Sequence, residues 1–350
     1  MPARSAIGLD IGTSVVRAVE LSFGRSGITL ERFGQVVLPD GAIEDGRVVD
    51  PEPVADCLRQ LWRATGLSHK RVVLGVANRE VIVRQVDLPW MEPKELRSSL
   101  AYQVKDLLPM EVDDSVLDFY PLGETEADGG ARMLRGLLVA ASRETVLANV
   151  RCAERAGLSV QSVDLTSFAV LRSLGKQTGP DVSTEALIDV GARVTNIVVH
   201  QAGTPTFVRI LSNGGQDVTD AVADQLEVPT AQAEAMKQQI ALAVPSGQLE
   251  ALHRAVDGTA RDFVDDVSQS LDYYATAHPG GRIERILVTG GGSRLDGLLD
   301  RLATETRLPV QAGDPMANLR IGNTGLDPNQ LAFVRPLSAV PVGLALGAIG

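Results

Sequence analysis

An aspartate followed two residues later by glycine closes an apolar run at two places in the sequence. The first is Leu9-Asp10-Ile11-Gly12, continued by Thr13 and Ser14. The second is Ile188-Asp189-Val190-Gly191, with Thr195 shortly downstream. In each copy β-branched residues resume after the glycine, the pattern of strand, tight turn, strand. Amides in such a turn can form a nest for phosphate oxygens, and Gly12 and Gly191 let the backbone approach closely. A carboxylate beside phosphates requires a cation between them, because like charges repel strongly at reduced dielectric. Asp10 and Asp189 are therefore read as holders of Mg²⁺ through water, since Mg²⁺ keeps several of its waters. Arg17, on the exiting strand, shares a face with Val15 and comes within reach of a phosphate.

A third glycine cluster, Gly290-Gly291-Gly292, follows the strand-like residues 285–289. Its bare backbone gives an adenine ring a flat surface, and Ser293 is expected to cap a helix carrying Leu295, Leu298 and Leu299. Glu234 and Lys237 stand three apart on a helix begun at Pro229-Thr230, so they share a face. Lysine is scarce, only five (70, 94, 105, 176, 237) among 33 basic residues, which singles Lys237 out. One acidic turn alone would read as an ordinary hairpin, and one glycine triplet as a packing device. Two turns plus the triplet favour two similar halves facing each other across a nucleotide. There is no Walker phosphate loop, and the four histidines (69, 200, 253, 278) stand at no metal-binding spacing.

The elements that must position these residues follow from patterning. At 350 residues and 44% hydrophobic, the chain favours two domains. Strands are expected at 7–11, 15–23 and 28–38. A helix capped by Asp50, with Pro51 first and Gly66 last, buries Val54, Leu58, Leu61 and Trp62; the strand 72–76 follows. Residues 79–137 read as a small α+β insertion, a strand at 81–86, a helix at 93–108 and two strands around a polar loop at 124–130. Residues 137–141 are expected to resume the main sheet, followed by a helix at 144–156. The second half restarts at Ala186, with strands at 194–200 and 206–211, a helix opening at Gly214-Gly215, and helical pattern over 229–278. A strand at 285–289, a helix at 294–305 and a buried helix at 341–349 close the chain. A net charge of −11 argues against nucleic acid and anionic lipid as direct partners. No apolar run is long enough to insert in a membrane, and the first strand begins directly after Ser5, so no signal peptide is expected. Cys57 and Cys152 are the only cysteines, which fits a reducing, cytoplasmic setting.

In order and spacing these motifs resemble the actin-like ATPase superfamily, of ribonuclease H-like α/β fold with two domains and a nucleotide cleft. Gly8 to Ser14 resembles its first phosphate hairpin, and Ile188 to Gly191 with Thr195 the second. Ile286 to Ser293 resembles its adenosine motif, and Glu234 with Lys237 its ribose and base contacts. Within the superfamily the sequence is most similar to the PilM family of type IV pilus assembly. The residues that carry this are Asp10 to Ser14 running on to Val19-Glu20-Leu21, Leu38-Pro39-Asp40-Gly41-Ala42-Ile43, and Leu88-Pro89 with Glu95-Leu96. The resemblance implies ATP or ADP with Mg²⁺ as ligands. Its first domain would span 1–183 and 335–350, with the insertion at about 79–137. Its second would span 184–334, with a helical subdomain at about 223–284. It also implies that the insertion and the neighbouring domain surface dock the N-terminal cytoplasmic tail of a PilN-like inner-membrane protein. Recruitment to the membrane through that partner, further pilus assembly components and self-association are implied with it. An FtsA-like division protein is the alternative, although FtsA's basic amphipathic end is missing here, and a small-molecule kinase is another. Two departures stand out. Arg17 replaces the family's lysine, and no glutamine stands at Ala141-Ser142-Arg143-Glu144, where actin orients its attacking water. At most slow hydrolysis is expected, with Glu144 the nearest acid.

Overall fold

The computed structural model describes residues 4–44, 46–175, 184–238 and 246–348. The expected helical pattern over 239–245, the residues just before the 183/184 junction and residue 349 lie outside the described residues. Chain order begins with β1 (Arg4–Ile11), β2 (Val15–Gly24), β3 (Gly27–Val37) and a short hairpin, β4 (Ile43–Glu44) and β5 (Arg47–Val48). Next come α1 (Pro51–Thr65), β6 (Arg71–Val76), β7 (Ile82–Pro89), α2 (Pro93–Val104), β8 (Ser115–Glu126), β9 (Arg132–Ser142), α3 (Arg143–Arg155), β10 (Ser159–Leu165) and α4 (Thr166–Leu174). The second half has β11 (Thr184–Val190), β12 (Thr195–Gln201), β13 (Thr204–Leu211), α5 (Gly215–Leu226), α6 (Thr230–Gln238), α7 (Ser246–Ala277), β14 (Arg285–Thr289), α8 (Leu298–Thr306) and β15 (Val310–Ala312). A two-residue β16 (Arg320–Ile321), α9 (Pro328–Val334) and α10 (Ala339–Gly347) complete it.

Local chemistry sets many of these boundaries. In α1 the Asp50 carboxylate accepts from the Glu52 amide, Pro51 occupies the first turn, and Gly66 ends the helix at φ 63°. Proline loses nothing where its missing N–H has no helical partner, and glycine adopts left-handed backbone without Cβ strain.

The two halves repeat one topology. The first large sheet runs β10-β6-β1-β2-β3-β16 and the second β15-β14-β11-β12-β13. In both, three antiparallel strands joined by tight turns are followed by two strands added parallel to the first. The duplication of the Asp-x-Gly phrase is thus a duplication of sheets. Between the halves lie α4 and α10, whose Ala169, Leu174, Val340 and Leu344 share one core with Val73 and Leu187 of the two sheets. α10 sits so close beneath β1 that a Cβ on Gly8 would fall 2.7 Å from the Ala345 nitrogen.

Three expectations require correction. Residues 137–141 do not resume the main sheet. β9 is the centre of a separate sheet, β7-β9-β8. Its run is continuously apolar because both faces are covered, Leu134 and Leu138 by α2 and Leu137, Val139 and Ala141 by the inter-sheet core. The insertion therefore extends to Ser142. Second, the chain is back on the first sheet before residue 335: Arg320 and Ile321 pair with Thr29 and Leu30 of β3, and Met316 and Val334 lie in the core beneath them. Third, Ser293 does not cap the next helix. It sits in a short 3₁₀ turn, its hydroxyl donating to the Gly290 carbonyl at 2.7 Å, and α8 begins after Gly297.

Among the described residues no single helix is long and apolar enough to cross a membrane. α9 and the segment 336–347 reach that length only together and are bent by 53° at their junction. Most of α10 is buried in the fold.

Candidate nucleotide site

The two acidic hairpins close in the same way. The Gly12 amide donates to the Val15 carbonyl at 3.1 Å, and the Gly191 amide to the Val194 carbonyl at 3.0 Å. A Cβ on Gly12 would stand 2.9 Å from the Val15 carbonyl oxygen, and one on Gly191 2.5 Å from that of Val194, so neither turn admits a side chain. Thr13 and Ser14 complete the first turn, half-buried, and the Ser14 carbonyl accepts from the Leu38 amide at 2.9 Å. In cross-strand register Asp10 faces Arg17 and Asp189 faces Asn196.

The carboxylates of the two hairpins feel each other. Asp189 is pushed up to about 6, first by burial and then by the negative charge of Asp10, with Arg17 opposing. Burial also raises Asp10, and Arg17 opposes that shift too. Arg17 Nη1 is 3.9 Å from the Asp10 carboxylate and its Nε donates to Gln35 at 3.4 Å, a loose pairing that leaves the acidic pair undercompensated. A buried and a half-buried carboxylate from opposite halves of the molecule therefore converge, the arrangement a divalent cation would relieve. No group of three or more His, Cys, Asp or Glu side chains among the described residues could chelate a metal. A cation here would take most of its ligands from water and phosphate, which suits Mg²⁺.

Gly290 closes the far side. Its φ of 88° favours glycine, and a Cβ there would overlap the Val190 carbonyl and stand 2.8 Å from Asp189 Oδ1. Gly292 packs as closely on the Val190 side chain, while Gly291 has Leu337 as its neighbour. The Gly290 amide and the Thr289 hydroxyl both donate to the Pro336 carbonyl, at 2.9 and 2.8 Å, tying the triplet to the segment before α10. These glycines are packing devices, and the packing sets them beside Asp189.

Glu234 and Lys237 do pair, Nζ to Oε2 at 2.6 Å, and the pair has a position. Lys237 Nζ also donates to the Gly215 carbonyl and the Thr219 hydroxyl, both at 2.8 Å, and Thr219 hydrogen-bonds Glu234. Burial would raise Glu234, but Lys237 and Thr219 hold it below its ordinary value. The nearest atoms to the place a Cβ on Gly215 would occupy are Gly292 Cα, the Gly191 carbonyl oxygen and Lys237 Nζ, at 3.6 to 3.8 Å. The second hairpin, the start of α5, the triplet and the Glu234–Lys237 pair therefore meet at one place.

Sequence reasoning missed several participants. Asn196 accepts from the Thr166 and Ser167 hydroxyls at 3.1 and 2.8 Å and reaches Asp189 at 3.5 Å, linking α4 to the second acidic turn. Its only signal was its place opposite Asp189. Gly214 and Gly215 were read as a helix start alone. The Gly215 and Gln216 amides bond the Gly191 and Ala192 carbonyls at 2.9 and 2.7 Å, strapping the α5 N-terminus to the hairpin. Thr195 is buried, and its hydroxyl donates to the Asn213 carbonyl at 2.8 Å, so it anchors that strap. Glu144 is exposed on the first turn of α3.

A second surface involves the insertion. β8 and β10 are edge strands of their sheets. The Tyr120 ring of β8 lies 5.5 Å from Phe168 of α4. Asp164 on β10, raised first by burial, also feels the charge of Asp118 on β8. Val116, Tyr120 and Val163 leave apolar surface exposed. β7 also touches the second half, His278 just past the end of α7 meeting Gln85 at 3.3 Å.

Two α/β halves of one topology around such a cleft define an actin-like ATPase fold. The same fold is found in MreB5 of Spiroplasma citri, solved with ADP (13% identity, 97% of this chain and 94% of that one, TM-score 0.52). It is found too in EutJ of Carboxydothermus hydrogenoformans (14% identity, 99% and 91%, TM-score 0.57). The sequence profile of "Type IV pilus assembly protein PilM" matches residues 8–349, and the chain belongs to that family. A solved PilM-PilN type IV pilus biogenesis complex aligns over 99% of this chain and 98% of its own, at 25% identity and TM-score 0.86. Cell division protein FtsA is a curated relative, 24% identical in Bacillus subtilis over 67% of this chain and 27% identical in Streptococcus pneumoniae over 84%. The chain spans 57% of the length of the first and 72% of the second.

Proposed function

We propose that this chain is a nucleotide-bridged scaffold of the type IV pilus assembly complex at the inner membrane. ATP or ADP lies between the halves, its phosphates on the amides of Gly12, Thr13, Ser14 and Gly191, with Arg17 beside them. Asp10 and Asp189 hold Mg²⁺ through water. The adenosine rests on Gly290, Gly291 and Gly292, with Lys237 and Glu234 at its ribose and base. The convergence of the two carboxylates carries this reading, since their mutual repulsion has no use except toward a cation. The N-terminal cytoplasmic tail of a PilN-like membrane protein docks between β8 and β10, where aromatic and aliphatic side chains are exposed at two open strand edges. Because the insertion also touches the second half, nucleotide state biases the groove by its differential affinity for the two shapes. The protein stays on the cytoplasmic side, reaches the membrane through that partner, and joins other pilus components or copies of itself there. The family match over nearly the whole chain favours this over an FtsA-like division role. Exposed Glu144, with no deeper acid beside it in 141–145, favours binding over kinase chemistry.

Mass spectrometry of nucleotide released from the purified protein, with calorimetric titration of Mg²⁺-ATP, tests the first half. Wild type is expected to bind and Asp10→Ala to fail while remaining folded. Equal binding by both would remove the site. Pull-down with a synthetic tail, with and without Mg²⁺-ATP, tests the second half.

A further inference from the structure

The far edge of the first sheet is only partly covered. β3 runs from Gly27 to Val37, but β16 pairs with Thr29 and Leu30 alone, and the ladder ends where the Gly322 amide donates to the Leu30 carbonyl at 2.9 Å. Among the described residues no strand pairs with 31–37 on this edge, β2 lying on the other side. Arg32, Phe33, Gly34 and Gln35 all line one open groove of about 830 Å³. Successive strand residues point to opposite faces, so a groove that touches four in a row follows the strand's edge. The end of α1 at Thr65 forms one wall and Phe333 of α9 the other. From 32 to 37 this edge offers about 20 Å of backbone.

The groove is positive in an acidic protein. Its lining has no aspartate or glutamate, while the chain carries −11 overall. The Arg32 guanidinium is held by two carbonyls, Glu31 at 2.7 Å and Asn323 at 2.5 Å, and Arg294 lies 3.8 Å over the Phe333 ring. Neither arginine has a carboxylate partner within ion-pair distance among the described residues. Glu31, next to Arg32 in the chain, accepts from the Ser22 hydroxyl on β2, and Asp327 is turned to the amides of Asn329 and Gln330 as the cap of α9.

We propose that the β3 edge takes an extended acidic segment of a partner protein as an added strand. The segment's backbone pairs with residues 32–37, with alternate acidic side chains toward Arg32 and the intervening apolar ones toward Phe333. This edge is opposite β10 in the same sheet, so it is separate from the insertion groove. Gln35, which lines it, also accepts from Arg17 of the first acidic hairpin, which places the strand one residue from the nucleotide cleft.

The test uses the full chain and a fluorescent seven-residue peptide alternating valine and glutamate, against its valine–lysine counterpart. Anisotropy is expected to show the acidic peptide binding at least about ten-fold tighter, with hydrogen-exchange protection confined to 32–37. Arg32→Glu should reverse the preference, and Arg32→Gln, with an unchanged melting curve, should remove it. No binding, equal binding of both peptides, or protection at 159–165 instead would overturn the proposal. Self-association lost in Arg32→Glu and not competed by the peptide would assign the edge to a second copy and overturn it too.

Discussion

Replacing Asp189 by asparagine should make the ligand-free protein more stable, and only above a certain pH. Asp189 is 8% exposed and sits near Asp10, and its carboxyl is raised from 3.8 to about 6. A carboxylate whose folded value exceeds its unfolded one binds its proton more tightly when folded. It contributes stability in full below pH 3.8, and that contribution is lost as pH rises through 6. Two units correspond to roughly 3 kcal/mol at neutral pH, shared between two coupled acids. Asparagine keeps the shape and the contact to Asn196 without the charge. Equilibrium urea denaturation at pH 4.5, 6 and 8 should give an Asp189→Asn advantage of about 1 kcal/mol or less at pH 4.5, growing to about 2–3 kcal/mol at pH 8. Millimolar Mg²⁺ should narrow the difference at pH 8 by stabilising wild type alone. A variant less stable than wild type at pH 8, or an advantage independent of pH, would refute the claim that the two acids repel each other across the cleft.

Gly290→Ala should cost more than about 2 kcal/mol, because its φ of 88° and the Val190 carbonyl both reject a Cβ, and purified variant should carry less nucleotide. Lys237→Met leaves the half-buried Glu234 beside Thr219 without its cation; ATP affinity by calorimetry should fall about ten-fold or more. Tyr120→Ala, which removes the ring tilted against Phe168, should weaken tail binding in pull-down and leave nucleotide binding unchanged. Thr195→Val should loosen the α5 strap and weaken nucleotide binding without abolishing it, since Thr195 bonds only the Asn213 carbonyl.

Where the determinants are local, the sequence was readable. The Asp-x-Gly turns, the Asp50–Pro51 start and the Gly66 stop each encode their geometry within a few residues. What escaped depends on partners far along the chain. The apolar run 137–141 looks the same whether it is buried in the main sheet or between α2 and the inter-sheet core. β16 is two exposed residues with no pattern at all, and only its pairing with β3 reveals it. At the site, the carboxylates and glycines were legible because their types are unusual in strands. Asn196 and Thr219 were not, since buried polar residues gain meaning only from what they touch.

The helix over 339–347 lies under the first strand, with Gly8 pressed on its backbone and Gly343 against Ala169. A ribosome delivers that helix hundreds of residues after the strand it supports. Until then the opening sheet lacks its floor, so the nascent amino-terminal half must wait, exposed, for that helix. Severing the gene between the halves would give two fragments, the first missing its own keystone.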